Sequence, residues 1–216
     1  MISRRSVVEI IGTTAVAPLL AMWTRRANAQ TAFTAIGRSM MKIYLAGPLG
    51  FSQVGREFYY GRLVPEIVGF GYEVLDPWKL TDQAKIDAVN AMPYGEAKRD
   101  AWRALNVEIG GNNRAAIDRS DAVFAVLDGV DVDSGTAAEI GYAFAKGKPI
   151  LGYRGDFRLS ADNEGSTVNL QVEYFITQSG GDIITSLGKG WEHLKDLKKL
   201  EAALKNLKDV ASRKTK

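Results

Sequence analysis

Apolar positions along the chain alternate between two periods, and the alternation predicts a layered α/β body. Lys42 to Ala46 reads as a short strand closed by Gly47-Pro48, and from Gln53 to Val68 the apolar residues recur at helical spacing. Tyr72 to Leu75 predicts a second strand, ended by Asp76-Pro77. A polar-periodic stretch from Glu96 to Arg119 predicts a helix interrupted at Gly110-Gly111. Ala122 to Leu127 is an unbroken apolar run ended by Asp128-Gly129, the pattern of a strand buried on both faces. Helix Gly135–Lys146, strand Pro149–Tyr153, helix Val168–Thr177, strand Asp182–Ser186 and a basic helix from Trp191 continue the series. Lys79 to Gly95 reads as a loop-rich cover. Strand then helix, repeated, predicts a doubly wound parallel sheet, flavodoxin-like or Rossmann-like, with about five strands flanked by helices in a single domain. Ligands of such sheets bind beyond the carboxyl ends of the strands, which selects the loops after Ala46, Leu75, Leu127 and Tyr153.

Three segments follow from the pattern. Residues 41–187 form the body, 188–216 a basic terminal helix and tail, and 1–40 an extension of another kind. Ser3-Arg4-Arg5-Ser6-Val7-Val8 resembles a twin-arginine export motif. An apolar run from Ile10 to Trp23 follows, too short for an ordinary membrane span, and Ala27-Asn28-Ala29 offers a cleavage site before Gln30. The expectation is export to the periplasm, with no membrane span in the mature chain. The alternative is a cytoplasmic protein whose translation starts at Met40 or Met41.

Composition narrows the chemistry. The chain has 216 residues, 46% hydrophobic, enough for one globular core. Residues 1–29 carry Arg4, Arg5, Arg25 and Arg26 against Glu9, which accounts for the whole formal charge of +3. The body is therefore neutral. The lysines of the tail lack interleaved aromatics and read as a solvated helix face, so no nucleic-acid partner is expected. With no cysteine and only His193, thiolate nucleophiles and Cys- or His-cluster metal sites are excluded. Catalysis must rest on carboxylates, hydroxyls, amides or lysines.

Two phosphate motifs are absent. Gly141 to Pro149 approaches a P-loop but has one residue too many before Gly147-Lys148, and Pro149 where Ser or Thr should hold magnesium. Ala46-Gly47-Pro48-Leu49-Gly50 lacks the dinucleotide glycine spacing. The informative stretch is Asp128 to Ala143, which sets Asp128, Asp131, Asp133 and Glu139 at a strand-to-helix junction on the ligand edge. Gly135, Ala137 and Ala138 leave open space beside Glu139, and the helix dipole should keep its carboxylate ionised, as covalent glycosyl chemistry requires. The same spacing also suits a capping box, Thr136-x-x-Glu139, with the aspartates as turn residues. Trp78 faces either a base or the core, Arg154 and Asp156 either a ligand or each other as a solvated pair, and His193 the surface or an interface.

Ile43 to Leu49, Ser120-Asp121-Ala122-Val123, Asp133 to Ala143 with Glu139-Ile-Gly-Tyr-Ala, and Val168-Asn169-Leu170 together resemble the nucleoside 2-deoxyribosyltransferase family across nearly the whole body. The resemblance implies base exchange on 2′-deoxynucleosides without metal or redox cofactor. Glu139 attacks C1′, Tyr44 orients it, Asp133 contacts the sugar or base, and Asn169 is lent by a neighbouring subunit of a homo-oligomer. Gly47, Pro48, Asn113, Ser134, Gly135, Asn169 and Trp78 form the expected substrate-facing set, with free nucleobases and deoxynucleosides as partners. Asn113 departs from the family pattern, which carries an aspartate for base protonation there. An amide hydrogen-bonds a base but cannot protonate it, leaving Asp131, Asp133 or water as donor. The alternatives are hydrolysis of deoxynucleosides or their 5′-monophosphates, as in the related N-glycosidases, and a non-catalytic nucleotide-binding module.

Overall fold

The computed structural model describes residues 40–185 and 197–214. The export motif and cleavage site, as well as Trp191 and His193, lie outside the described residues.

Five strands form one sheet: β1 (Met41–Ala46), β2 (Tyr72–Leu75), β3 (Ala122–Val126), β4 (Ile150–Arg154) and β5 (Ile183–Thr185). Their order is β2-β1-β3-β4-β5 and every pairing is parallel. The expected doubly wound α/β fold is what the chain adopts. The order reverses direction between β1 and β3, and this switch point opens a crevice at the carboxyl edge.

Strand geometry decides which side chains face which layer. Successive residues point to opposite faces, so Ile43 and Leu45 go one way and Tyr44 and Ala46 the other. Ile43 and Leu45 pack with Tyr59, Leu63 and Ile67, and with Leu200, Leu204 and Leu207 of α7 (Leu197–Lys214). Tyr44 packs on the opposite face with Ala116 and Ile117 of α4 (Glu96–Arg119), Ile140 of α5 (Ser134–Ala145) and Ile176 of α6 (Leu170–Gln178). Each fully buried side chain of this size contributes about 1.5–3 kcal/mol, so a one-residue slip of β1 would be strongly opposed. Register thus fixes Tyr44 on the α5 side. The terminal helix α7 buries its leucines in the core of the body, while Lys199, Lys205 and Lys214 stay exposed, so the solvated basic face is one side of an amphipathic helix.

Three elements differ from the sequence reading. The helical run after β1 is α1 (Gln53–Phe58), a π turn over Tyr59–Leu63, and α2 (Val64–Gly69). The Val64 N–H donates five residues back to the Tyr59 carbonyl, and the widened turn admits Pro65, which has no N–H of its own. Gly110 and Gly111 do not interrupt α4. Each glycine costs about 1 kcal/mol against alanine, less than the flanking turns recover by burying Leu105, Ala116 and Ile117. The stretch expected as cover contains α3 (Gln83–Ala91), capped by Asp82, whose side chain accepts from the Ala84 N–H at 2.9 Å. None of its residues is buried, so apolar spacing could not announce it. Among the described residues, no helix is long and apolar enough to cross a membrane.

Candidate active site

The crevice is built from the end of β1, the turn after β2, the middle of α4 and the first turns of α5. Gly47 ends β1 at φ 153°, where a Cβ would stand 2.9 Å from the Cβ of Val126, so the chain leaves the sheet only by way of glycine. Pro48 then opens a 3-10 turn, Pro48–Phe51. Gly50 in this turn lies beneath Trp78: a Cβ there would fall 2.0 Å from the indole. Trp78 also meets Phe51 edge-to-face, 4.7 Å between centroids, and its Nε1 is buried without a hydrogen-bond partner among the described residues. Its indole serves as a contact between the two edge turns.

At the centre, the Tyr44 hydroxyl donates to Glu139 Oε1 at 2.5 Å, joining β1 to α5 across 95 residues of sequence. The Asn113 amide donates to the same oxygen at 3.4 Å from α4, and its Oδ1 is buried with no partner among the described residues. Asn112 ties this part of α4 to the cover by donating to the Leu80 carbonyl at 3.3 Å and the Thr81 hydroxyl at 3.1 Å. Sequence reasoning had named Tyr44, Asn113 and Glu139, and the fold brings these three together.

Glu139 is not a cap. Asp133 is the N-cap of α5, and its Oδ2 accepts from the Thr136 N–H at 2.9 Å and the Thr136 hydroxyl at 3.0 Å. The Thr136-x-x-Glu139 capping box is therefore overturned, since Thr136 is the partner of the cap and Glu139 stands in the second turn. The expectation that the dipole keeps Glu139 ionised is overturned too. Burial raises its pKa to about 7, the Tyr44 hydrogen bond pulls it down, and the charge of Asp133 pushes it up. The dipole acts mainly within the first turn, too far back to win against desolvation. Tyr44 is held well above the ordinary tyrosine range by burial and by the Glu139 carboxylate, so it stays a donor.

The remaining expected residues are placed as follows. Ser134 and Gly135 form the exposed first turn of α5 beside Asp133. Asn169 caps α6, accepting from the Gln171 N–H at 3.0 Å. Asp131 is exposed and accepts from the Val132 N–H at 2.7 Å and the Ser160 hydroxyl at 3.3 Å. Arg154 and Asp156 do not pair with each other, and Arg154 is closed off from any ligand. Arg154 is 0% exposed and donates to the carbonyls of Leu127, Gly129 and Arg158, while Asp156 pairs with Arg158. Asp128 completes this joint, accepting from the Gly155 and Asp156 N–H groups at 2.6 and 2.9 Å. The loops after β3 and β4 are thus locked together behind Asp133.

Sequence reasoning missed Asp76. It follows β2, is 8% exposed, and accepts from the Tyr59 hydroxyl at 3.0 Å and the Trp78 N–H at 3.1 Å. The signal was the Asp76-Pro77 strand ending itself, read only as a stop.

Residues 43–171 match the family model described as nucleoside 2-deoxyribosyltransferase. The chain belongs to this family. Among solved structures, a conserved protein from Enterococcus faecalis is 25% identical, covering 79% of this chain and 99% of that chain at a TM-score of 0.49. A 2-desoxiribosyltransferase from Leishmania mexicana is 28% identical over 61% of this chain and 85% of that one, at a TM-score of 0.43. A CMP N-glycosidase from Clostridium botulinum is 20% identical over 75% of this chain and 98% of its own, at a TM-score of 0.45. A search of curated proteins finds no match.

Proposed function

We propose that the protein exchanges the base of 2′-deoxynucleosides by a retaining double displacement through Glu139. One observation carries the reading: a half-buried glutamate at the switch point, one carboxylate oxygen of which accepts both the Tyr44 hydroxyl and the Asn113 amide. Oε1 is held, so Oε2 is the oxygen free to attack C1′. The C1′–N bond breaks with its electron pair moving to the base, and an ester of Glu139 with C1′ forms. A second base then attacks C1′ through nitrogen, the ester oxygen leaves as carboxylate, and the N–H proton of the incoming base is released. Two inversions retain the configuration. In this reading Tyr44 directs the carboxylate, and Asp133, fixed by its capping bonds to Thr136, contacts the sugar or base.

Incubation with deoxyinosine and adenine tests this directly. Deoxyadenosine is the expected product. Free deoxyribose in its place identifies a hydrolase, and neither product identifies a nucleotide-binding module.

The reading extends to a homo-oligomer, because Asn169 sits at the α6 N-terminus, outside the hydrogen-bonded cluster around Glu139. In this proposal each Asn169 completes the site of a neighbouring copy. Mixing inactive Glu139→Ala and Asn169→Ala chains should restore part of the activity, whereas a fully active monomer would refute the shared site.

A further inference from the structure

The loops that follow β3 and β4 hold each other by an exchange of charged side chains. Arg154, at the end of β4, is fully buried, and its guanidinium reaches into the β3 loop. It donates there to the Leu127 carbonyl and, at 3.1 Å, to the Gly129 carbonyl, while Nη2 and Nε close on the Arg158 carbonyl at 2.7 and 3.3 Å. Asp128 reaches the opposite way. One of its carboxylate oxygens accepts from the Gly155 and Asp156 N–H groups at 2.6 and 2.9 Å. Each loop is thus gripped through its main chain by a charged side chain of the other. Charge withdrawn from water is costly unless its hydrogen-bonding positions are met, and here main-chain groups meet them.

What this clasp holds is the segment that delivers Asp133. Between Leu127 and Asp133 the chain forms neither helix nor strand. It turns at Gly129, φ 137°, where a Cβ would stand 2.8 Å from the Asp131 carbonyl oxygen. Arg154 fixes the carbonyls on both sides of Asp128, and Asp131 fastens the middle of the segment by accepting from the Ser160 hydroxyl of the β4 loop at 3.3 Å. Val132 then enters the core, and Asp133 caps α5 through the Thr136 N–H and hydroxyl. A stretch with no ladder or helix bonds of its own is therefore held at its start, middle and end.

We propose that Arg154 and Asp128 are positioning residues that fix Asp133 for its contact with the substrate, acting through the main chain of the β3 loop and not on the reacting atoms. This role rests on the exchange reaction proposed above, in which Asp133 meets the sugar or base.

The test measures exchange of deoxyinosine with adenine, and thermal unfolding, for wild type, Arg154→Met, Asp128→Ala, Asp128→Asn, Asp133→Ala and the double variant Arg154→Met with Asp133→Ala. Arg154→Met and Asp133→Ala should each lower kcat/KM about 100-fold, the scale of loss when a contact near the reacting centre is slightly misplaced. In the Asp133→Ala background, Arg154→Met should lower it further by less than about threefold, because a clasp that works through Asp133 has nothing left to position. A clasp that served only the fold would multiply the two losses. Asp128→Asn keeps an oxygen able to accept from both N–H groups and should stay within about tenfold of wild type, where Asp128→Ala does not. Should Arg154→Met fail to fold, Asp128→Ala takes its place in the double variant; if neither folds, the clasp serves the fold and the proposal falls. It falls also if folded Arg154→Met turns over like wild type, if the two losses multiply, or if Asp128→Asn is no better than Asp128→Ala. An active wild type whose Asp133→Ala variant is unimpaired overturns the role of Asp133 and this proposal alone. A wild type that forms neither deoxyadenosine nor an adduct with a 2-fluoro-deoxynucleoside overturns the exchange reaction itself.

Discussion

Glu139→Gln should remove exchange, with kcat falling on the order of 10⁴-fold, because an amide oxygen cannot form the ester and the covalent route is lost. The fold should survive and, above neutral pH, should become more stable. The Glu139 carboxyl is raised by burial from 4.5 to about 7 in the folded chain. Stability from the protonated form is fully present below the unfolded pKa and is lost as pH rises through about 7. Glutamine has nothing to lose over that window. The variant should thus gain up to about 3 kcal/mol on wild type at pH 8, with the gap closing towards pH 5; residual exposure of Glu139 makes this a ceiling. For the same reason, wild-type kcat/KM should rise with pH through about 7, as the nucleophile must be ionised. Unfolding curves at pH 5 and pH 8 and a pH–rate profile check all three outcomes. A folded Glu139→Gln protein turning over near normally removes Glu139 from its role, and a stability gap that ignores pH removes burial as the cause of its shift.

The parts of the fold that could be read from sequence are those where one periodicity decides the structure. The unbroken apolar run Ala122 to Leu127 can only be a strand covered on both faces, and the alternation in β1 assigns Tyr44 to one layer. Tyr44 and Asn113 were legible only through the resemblance of their stretches to the nucleoside 2-deoxyribosyltransferase family, whereas Glu139 was also marked by its place at a strand-to-helix junction on the ligand edge. What escaped depends on tertiary balance. Gly110-Gly111 stays helical because packing on either side outweighs a small local cost, and α3 carries too little buried surface to leave a pattern. Arg154 looks from sequence like any basic loop residue, yet the fold buries it among three carbonyls. The ionisation of Glu139 was misjudged because desolvation belongs to the assembled crevice, whereas the dipole belongs to the helix alone. Asp76 escaped for a related reason: its partners Tyr59 and Trp78 come from opposite sides of the β2 end, and only the closed edge brings them together.

Asn113→Asp should change which bases the enzyme accepts and at what pH. In the wild type the amide donates to Glu139 Oε1 at 3.4 Å while its own Oδ1 is buried without a partner among the described residues. In the exchange proposed above, that arrangement steadies the nucleophile but supplies no proton as the C1′–N bond breaks. Bases that leave easily once protonated at N7, such as hypoxanthine, should then outrun thymine by about 10²-fold, the lower range of what a placed acid contributes. An aspartate at this position would face Glu139 across the same short gap. Two carboxylates sharing a site cannot both ionise readily, so one proton is held between them, and the pair titrates as a unit above the present value of about 7. That proton is available to the leaving base. The variant should therefore narrow the gap between deoxyinosine and thymidine and move the rising limb of the pH–rate profile upward. Parallel rates for the two nucleosides across pH 5 to 9 read both effects. If the wild type already treats the two alike, and Asn113→Asp alters neither rate nor limb, the proton comes from another group, and Asp133, whose charge already reaches Glu139, becomes the residue to replace next.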